Sequence, residues 1–437
     1  MSIEWITVLM FGGMLVLLAL GLPLAFVTGL IGTVFCVFLF GFDGLQLIGT
    51  RIYSFMGEYA LVSVPMFVMM ASIMERSGVA KDLFDAMRVW AGRLPGGLAI
   101  QTMVAATIMG AMTGIIGGEI VLLGLIALPQ MLRLGYDKKL AIGTICAGGA
   151  LGTMIPPSIV LIIYGLTVNV SIGDLFVANL VPGLILSLIY MGYIFVRCQI
   201  DPKLGPAAPD HEHRVPFVRK LALMRGLFLP LLVIGSVLGT IYAGVASVTE
   251  AAAMGVVGTM IASAIRGELK WPIIRDSARI TLDTCGMLLW LSFGATAMIG
   301  VYNLAGGPGF IRDLFAGFNL PPIGTVLVMQ AILIVLGCIM DWVGICLLTM
   351  PIFVPIIVGL GYDPIWFGVL FCLNMQISYL SPPFGPAAFY LKGVAPEGIT
   401  LNDIFASVWP FIILQALVLA LVLLAPDVAL WLPRLKD

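Results

Sequence analysis

Long apolar segments dominate the chain, and short polar segments separate them. A hydrocarbon layer of about 30 Å needs about 20 apolar residues per helix. Segments that approach this length lie at residues 4–19, 24–40, 61–74, 175–196, 282–303 and 404–424, and residues 226–265 hold two more. Of all residues, 61% are hydrophobic and 10% charged, whereas roughly a quarter are charged in a soluble domain. The pattern predicts an all-α polytopic membrane protein.

One predicted membrane helix is interrupted in its middle. Residues 148–165 read GGALGTMIPPSIVLIIYG, and the adjacent Pro156, Pro157 and Ser158 break an otherwise apolar helix. A broken helix is tolerated at membrane depth only where it is buried in protein or lines a polar cavity. A second copy follows at residues 374–392, NMQISYLSPPFGPAAFYLK. We therefore expect two broken helices that form a site.

Each broken helix is preceded by an apolar region with its own interruption. The first, residues 96–130, contains MGAMTGIIGGE at 109–119, and the second, residues 323–357, has its polar tip near 340–344. Two half-length helices that meet at a glycine-bearing tip are typical of a re-entrant hairpin. Two full membrane spans in the first region are the alternative.

The matching features stand at one constant offset. The pairs separated by 226 positions are Pro129 and Pro355, Gly135-Tyr136-Asp137 and Gly361-Tyr362-Asp363, and Pro156-Pro157 and Pro382-Pro383. Arg133, Lys138 and Lys139 surround the first Gly-Tyr-Asp segment, whereas residues 356–364 contain no basic residue. The positive-inside rule places the first segment in the cytoplasm and the second outside. The two halves are then inverted repeats, an architecture of secondary transporters.

We expect five segments along the chain. Residues 1–95 hold scaffold helices and an amphipathic arm, and residues 96–165 the first hairpin and broken helix of a transport domain. Residues 166–320 hold further scaffold helices, a polar cytoplasmic loop at 197–225 and a second arm at 266–280. Residues 321–392 repeat the hairpin and broken helix, and residues 393–437 form a C-terminal helix.

The interruptions suit a small hard cation. Half-helix C-termini and unwound carbonyls coordinate cations in inverted-repeat transporters. The first half offers carbonyls at Gly149, Gly152 and Pro156 and hydroxyls at Thr113, Thr153 and Ser158, and the second offers Ser378, Ser381, Gly385 and the Asp341 carboxylate. Two pseudo-symmetric cation sites follow. The alternative is that these residues only pack, since glycine and proline are common in membrane helices.

Three carboxylates lie in apolar surroundings, where an ionisable group is costly and often functional. Asp341 is the strongest candidate because it stands at the second hairpin tip. Glu119 is either a coupling group or a helix cap. Glu250 follows Thr249 at a helix start, where a carboxylate is stabilised by the helix dipole, so we expect a structural role. The seven scattered cysteines and the pair His211 and His213 predict no disulfide framework and no metal site.

Other classes of protein lack support. The chain has no Walker A sequence, no G-x-S-x-G or H-E-x-x-H motif and no Cys/His cluster. We therefore expect no ATPase and no enzyme. A membrane enzyme or an assembly scaffold without transport is kept as the distant alternative, and the expected partners are the lipid bilayer and an organic acid, not nucleic acid.

Several motifs resemble one transporter family. The stretches LGTMIPPSIVLIIYG, DWVGICLLTMPIFVP and SPPFGPAAFYLKGVAP are similar to the large membrane subunit of tripartite ATP-independent periplasmic (TRAP) transporters. The resemblance implies an inverted-repeat, elevator-type fold in the bacterial inner membrane and sodium-driven import of organic acids (carboxylates). It also implies two partners, a small four-helix membrane subunit and a periplasmic substrate-binding protein. Sodium ions are the only cofactor implied.

The resemblance also assigns residues. Sodium-binding positions fall on Thr113, Gly114, Gly118, Gly149, Gly152 and Pro156 in the first half, and on Asp341, Gly344, Ser381, Pro382 and Gly385 in the second. Ser158 and Asn374 are the candidates for substrate binding. A self-sufficient sodium/carboxylate symporter that needs no binding protein remains the alternative function.

Overall fold

The structure, a computed structural model, describes most of the 437-residue chain. The described ranges are 1–78, 82–84, 86, 94–114, 117–207 and 217–435, without the side chains of residues 113, 217–227 and 230. Most of the predicted first arm, the tip residues 115–116, the Thr113 side chain, His211 and His213 lie outside these ranges.

The regular structure in these ranges is helical. Nineteen α-helices are described: α1 Ile3–Ala19, α2 Leu24–Phe40, α3 Leu45–Met56, α4 Ser63–Arg76, α5 Gly97–Thr113, α6 Gly118–Arg133, α7 Lys138–Ala150, α8 Ile159–Val168, α9 Ile172–Ile200, α10 Phe217–Tyr242, α11 Val248–Ile265, α12 Trp271–Leu304, α13 Gly307–Gly317, α14 Pro322–Gly337, α15 Trp342–Gly359, α16 Pro364–Leu380, α17 Pro386–Val394, α18 Leu401–Leu424 and α19 Asp427–Arg434. Short 3₁₀ turns join some of them, including Leu151–Thr153 after α7. Six helices in the described ranges are long and apolar enough to cross a membrane. The prediction of an all-α polytopic membrane protein is confirmed.

The first of two helical bundles is built around α12. This 34-residue helix packs against α2, α3 and α4, while α11 packs against α4 and α10. Close approach of α2 and α12 depends on glycines, because a Cβ on Gly32 would lie 2.7 Å from the backbone nitrogen of Met298. Small residues at such interfaces let membrane helices pack by backbone contact. We call this bundle, α1–α4 and α10–α13, the scaffold.

The second bundle contains the four interrupted elements. The hairpin α5–α6 packs on the broken helix α7–α8, and the hairpin α14–α15 packs on the broken helix α16–α17. The helices α9 and α18 pack around the broken helices, although α9 lies in the 166–320 segment that we assigned to the scaffold. We call this bundle the core bundle. Its division from the scaffold as a functional domain stays a prediction.

The first hairpin has the geometry expected of a re-entrant element. In the first, α5 and α6 have 17 and 16 residues and meet at the glycine-bearing tip. The base of this hairpin is closed because the backbone N–H of Leu98, at the start of α5, donates to Tyr136 Oη, 3.1 Å away, just after α6. The ends of α5 and α6 therefore lie together on one side, as in a hairpin and unlike two successive full spans.

The internal repeat extends further than the sequence motifs showed. An offset of 226 carries the first residues of α5, α6, α7 and α8 to within two residues of the first residues of α14, α15, α16 and α17. The same offset carries α2, Leu24–Phe40, onto α11, Val248–Ile265, within two residues. Sequence comparison predicted the repeat only from residue 282 onward. The scaffold halves were missed because apolar helices without glycine or proline breaks leave no distinctive motif.

The two repeats exchange contacts across a pseudo-two-fold axis. The second arm of each hairpin packs on the second half of the other repeat's broken helix, α6 on α17 and α15 on α8. On the axis itself, Gln376 Nε2 donates to the carbonyl oxygen of Ala150, 3.0 Å away and 226 positions earlier. A residue that contacts its own repeat counterpart must lie at the symmetry axis. The two broken helices therefore cross there.

Two predicted boundaries were wrong. The second arm at 266–280 is not a separate element, since α12 runs without interruption from Trp271 to Leu304. Pro272 stands in the first turn, where it is tolerated, and no further proline interrupts the helix. The polar loop predicted at 197–225 is also shorter, because α9 extends to Ile200 and α10 begins at Phe217.

The axial hydrogen bond predicts a measurable stability effect. We expect Gln376→Leu to remove the donor to Ala150 and to lower the free energy of unfolding by about 0.5–1.5 kcal/mol, the net value of one hydrogen bond. The measurement is the melting temperature in detergent. Gln46→Leu, on the exposed face of α3, is the matched control and should melt like wild type. Equal melting of all three proteins would contradict the axial contact.

Candidate functional site

At Gly110 and Gly114, the first hairpin approaches the first helix break backbone to backbone. Gly114 ends α5 in the left-handed region, φ +53°, and a Cβ there would collide with the carbonyl oxygen of Pro157. One turn earlier, a Cβ on Gly110 would lie 3.1 Å from the Cα of Gly152. Glycine permits both the backbone conformation and the approach. The structure thus brings Gly114, Gly152 and the proline pair together, as predicted.

Side-chain donors satisfy the carbonyls that the first break releases. Ser158 Oγ donates to the carbonyl of Thr153 at 2.5 Å. Asn179 Nδ2 donates to that of Met154 at 3.1 Å, and Gln376 donates to that of Ala150. Since an unpaired backbone group in hydrocarbon costs several kcal/mol, these bonds allow the break to exist. The carbonyls predicted as cation ligands belong to Gly149, Gly152 and Pro156, which lie within two residues along the chain of the three hydrogen-bonded carbonyls.

Two carboxylates approach the same region. The Glu119 side chain is 1% exposed and packs against Gly152. A Cβ added to Gly152 would lie 2.5 Å from Glu119 Oε1. Glu75, from α4 of the scaffold, stands so that a Cβ on Gly118 would lie 3.0 Å from its Oε2. Gly118 begins α6, and a carboxylate is favoured at a helix N-terminus. The first tip is therefore held between the first break and the scaffold.

The second hairpin tip is organised by Asp341. Its carboxylate caps α15 by accepting from the backbone N–H of Val343 at 3.0 Å, and the residue is half-buried. Gly344, one turn into α15, lies against the side chain of Leu24 at the start of α2. Ser381 donates its hydroxyl to the carbonyl of Ile377 at 2.7 Å. Pro382 follows it, and Gly385 precedes α17.

A small cavity joins the second tip to both breaks. It has a volume of about 20 Å³, and its oxygen-bearing lining residues include Thr153 of the first break, Asp341 of the second tip and Ser378 of α16. Space of roughly 10–15 Å³ is enough for one water-sized particle. Among the predicted cation ligands, the structure thus combines Thr153, Asp341 and Ser378 from opposite halves.

A larger cavity of about 600 Å³ lies between the core bundle and the scaffold. Both tips reach it, through Gly114 and Asp341, and so do the first residues of α8, α15 and α17, namely Ile159, Trp342 and Pro386. The scaffold wall comes from 23–26 and 284–291. Sequence reasoning missed the aromatic lining residues Phe26, Trp290, Tyr379, Phe384 and Tyr390. The scaffold pair stands in ordinary apolar helices, so no motif marked it.

The two predicted substrate-binding residues have structural hydrogen bonds. Asn374 is fully buried and donates through Nδ2 to the backbone oxygen and the side-chain oxygen of Gln330, at 2.9 and 2.7 Å. It thus ties α14 to α16. Ser158 is also fully buried and bonds within its own break. Neither residue lines the two cavities, and their substrate role stays a prediction.

Other predictions concern residues away from the cavities. Glu250 forms a capping box with Ser247, whose backbone N–H donates to the Glu250 carboxylate at 2.8 Å, which confirms the structural role. The seven cysteines are free. No group of three or more metal-ligating side chains occurs in the described part of the chain.

Comparison with known proteins identifies the family. The family described as "Tripartite ATP-independent periplasmic transporter, DctM component" matches residues 11–428. The chain belongs to this family. It is therefore a large permease of the TRAP type and a multi-pass protein of the inner membrane, which confirms the family and the location that the motifs predicted.

Characterised relatives differ in the substrates their names carry. The chain is 31% identical to the C4-dicarboxylate TRAP transporter large permease protein DctM of Pseudomonas aeruginosa, over 91% of this chain and 92% of that protein. It is 30% identical to the ectoine/5-hydroxyectoine large permease protein UehC of Ruegeria pomeroyi, over 96% of each. It is 27% identical to the isethionate permease protein DctMQ of Oleidesulfovibrio alaskensis, over 97% of this chain and 65% of that protein.

A solved structure supports the fold. The YdaH transporter of Alcanivorax borkumensis, described as having an unusual topology, superposes with a TM-score of 0.66 over 96% of this chain and 98% of that one. The sequence identity is 15%, so this likeness concerns the fold alone.

The contact of Gly114 with the first break predicts a loss of function. We expect Gly114→Ala to cost about 1–2 kcal/mol for the left-handed conformation and, in addition, to push the tip away from Pro157. Gly21→Ala is the control, because Gly21 has φ +84° but a Cβ there would meet no atom within 4 Å. Uptake by the Gly114 variant should fall at least tenfold below that of the Gly21 variant. Equal uptake would mean that the tip contact is dispensable.

Proposed function

We propose that this TRAP permease imports organic acids in symport with sodium ions, and that its core bundle moves against the scaffold as an elevator. The observation that carries the proposal is the position of Asp341. This residue lines both the small cavity and the larger one. A negatively charged group that stands between an ion-sized space and a substrate-sized space is suited to couple the two.

The small cavity has the chemistry of a sodium site. Thr153, Asp341 and Ser378, which line the cavity, bear hydroxyl and carboxylate oxygens, and we infer that carbonyl oxygens of the adjacent helix breaks complete the site. Oxygen ligands of this kind at discontinuous helices coordinate Na⁺ in inverted-repeat transporters. The sodium positions expected in the first half, at Gly114, Gly149, Gly152 and Pro156, form the second part of the proposal.

The larger cavity has the chemistry of an anion site that depends on the cation. Helix N-termini favour anions, and those of α8, α15 and α17 reach it. Asp341 opposes an anion there, since two like charges 4 Å apart repel by on the order of 4 kcal/mol at an effective dielectric constant of about 20. A bound sodium ion neutralises Asp341 and removes this repulsion. Binding of sodium and binding of the acid are thereby coupled.

The elevator part of the proposal rests on how the bundles meet. The larger cavity has one wall from each bundle. Scaffold side chains contact both tips at equivalent glycines, Glu75 at Gly118 and Leu24 at Gly344. The four interrupted elements pack with one another within the core bundle. Movement of the core bundle as one body would carry the small cavity, and the core-bundle wall of the larger one, past a fixed scaffold.

The proposed partners are a small four-helix membrane subunit and a periplasmic substrate-binding protein. The name DctMQ of the isethionate relative, and its extent beyond the matched region, support a second membrane component. The names of the relatives span C4-dicarboxylate, isethionate and ectoine substrates, which supports a carboxylate or related polar organic ion as cargo. A permease that works without a binding protein is the second candidate.

Uptake into proteoliposomes tests the coupling. We expect Asp341→Asn to lower sodium-driven uptake at least tenfold and to flatten its dependence on sodium concentration, because the neutral amide holds the cation weakly. Asp363→Asn is the matched control, since Asp363 likewise caps a helix by accepting from a backbone N–H, that of Ile365 at 2.7 Å. Asparagine is also a good cap, so both variants should fold.

The reconstitution contains the permease with its two partners, an imposed sodium gradient, and labelled succinate, isethionate and phenylacetate as cargo. Equal sodium dependence in the two variants would remove Asp341 from the site. Omission of the binding protein should abolish uptake. Undiminished uptake by the permease alone would instead establish the self-sufficient symporter.

A further inference from the structure

The larger cavity is richer in aromatic than in charged groups. Its aromatic lining residues are Phe26, Trp290, Trp342, Tyr379, Phe384 and Tyr390. Asp341 is the one charged residue among the described residues that line it, and neither lysine nor arginine is among them. A carboxylate in this cavity therefore finds hydrogen-bond donors and helix dipoles, but no cationic side chain.

Tyr379 marks the place where such a donor is needed. The residue is 5% exposed, and its Oη has no hydrogen-bond partner among the described residues. It lines both the small cavity and the larger one. Buried polar groups in native structures are nearly always hydrogen-bonded. An unpartnered hydroxyl that borders a cavity is explained by a ligand that accepts a hydrogen bond from it.

The helix N-termini provide for one carboxylate at the same end of the cavity. α8 and α17, with 10 and 9 residues, begin at Ile159 and Pro386 beside Tyr379 and Asp341 in the lining. The unpaired N–H groups at the start of α8 and the positive dipole end of α17, whose first residue Pro386 has no N–H, favour a single negative charge. A second carboxylate on the same ligand would face the aromatic walls, and burial of an unpaired charge is strongly unfavourable.

The remaining walls suit a flat apolar body. On the scaffold side, the rings of Phe26 and Trp290 are 6.0 Å apart between centroids. On the core-bundle side stand Trp342, Phe384 and Tyr390. Aromatic side chains favour offset or edge-to-face contact with another ring, and about 600 Å³ is the volume of a small-molecule pocket.

We propose that the substrate is a monocarboxylic acid with an aromatic or similarly flat apolar body, held by Tyr379 Oη and the N-termini of α8 and α17, with the body between the scaffold and core-bundle rings. This assignment rests on the proposed function. It distinguishes the chain from relatives named for C4-dicarboxylates, and it makes Tyr379 a specificity-determining residue.

The test measures binding to the purified full-length permease in sodium-containing buffer. The probes are phenylacetate, its uncharged analogue phenylacetamide, and succinate. Isothermal titration calorimetry measures the binding of each. We expect phenylacetate to bind at least tenfold more tightly than either of the others. Succinate binding as tight as that of phenylacetate, or no binding of phenylacetate, overturns the assignment.

Substitution at Tyr379 locates the contact. Tyr379→Phe keeps the ring and removes the hydroxyl, so phenylacetate binding should weaken about tenfold while the melting temperature stays unchanged. Tyr190→Phe is the control, since Tyr190 is fully buried and packs on Phe411 outside the cavity, with ring centroids 5.3 Å apart. Equal phenylacetate affinity in both variants removes Tyr379 from the site.

The outcome separates this assignment from the proposed function. Sodium-driven uptake of succinate but not of phenylacetate in the reconstituted system would leave the symport function intact and overturn only the substrate class. Absence of sodium-driven uptake of all acids, together with tight phenylacetate binding, would leave the substrate class intact and overturn the symport function.

Discussion

The need to satisfy backbone polar groups away from water governs this structure. Two helices are interrupted inside an apolar protein, and each interruption releases carbonyl and N–H groups that hydrocarbon cannot pair. At the first break, donors come from three places: Ser158 within the break, Asn179 of α9 and Gln376 of the other repeat. The break is stable because other elements enclose it. The compact core bundle is a consequence of that requirement.

The same requirement places the functional groups. Since Gln376 belongs to the second broken helix, the hydrogen bond that stabilises the first break also fixes where the two repeats cross. The hairpin tips then close on the breaks from both sides, through Gly114 and Asp341. Half-helix ends, a carboxylate and hydroxyl oxygens come together without any cationic side chain in the described lining. The hydrogen bonds that satisfy the backbone at the breaks and the proposed ion ligands use neighbouring atoms of the same short segments.

Much of this architecture could be predicted because its elements break ordinary rules. Paired prolines in an apolar helix and glycine-rich tips at matched spacing led to the hairpins, the broken helices and the inverted repeat. Residues that obey ordinary rules could not be placed. Phe26 and Trp290 look like any lipid-facing aromatics until the structure sets them across a cavity from Asp341. The hydrogen bond from the Ser158 hydroxyl to the carbonyl of Thr153 also could not be predicted, because the sequence shows the residue but not its partner.

Sodium binding by the isolated permease tests the central claim most directly, because it needs neither substrate nor partner. The melting temperature of the purified protein should rise with sodium concentration and should not respond to potassium or choline at equal ionic strength, since only a bound ion stabilises the folded state in this way. Identical melting curves in sodium and potassium would contradict the account of the helix breaks and Asp341 as a sodium site.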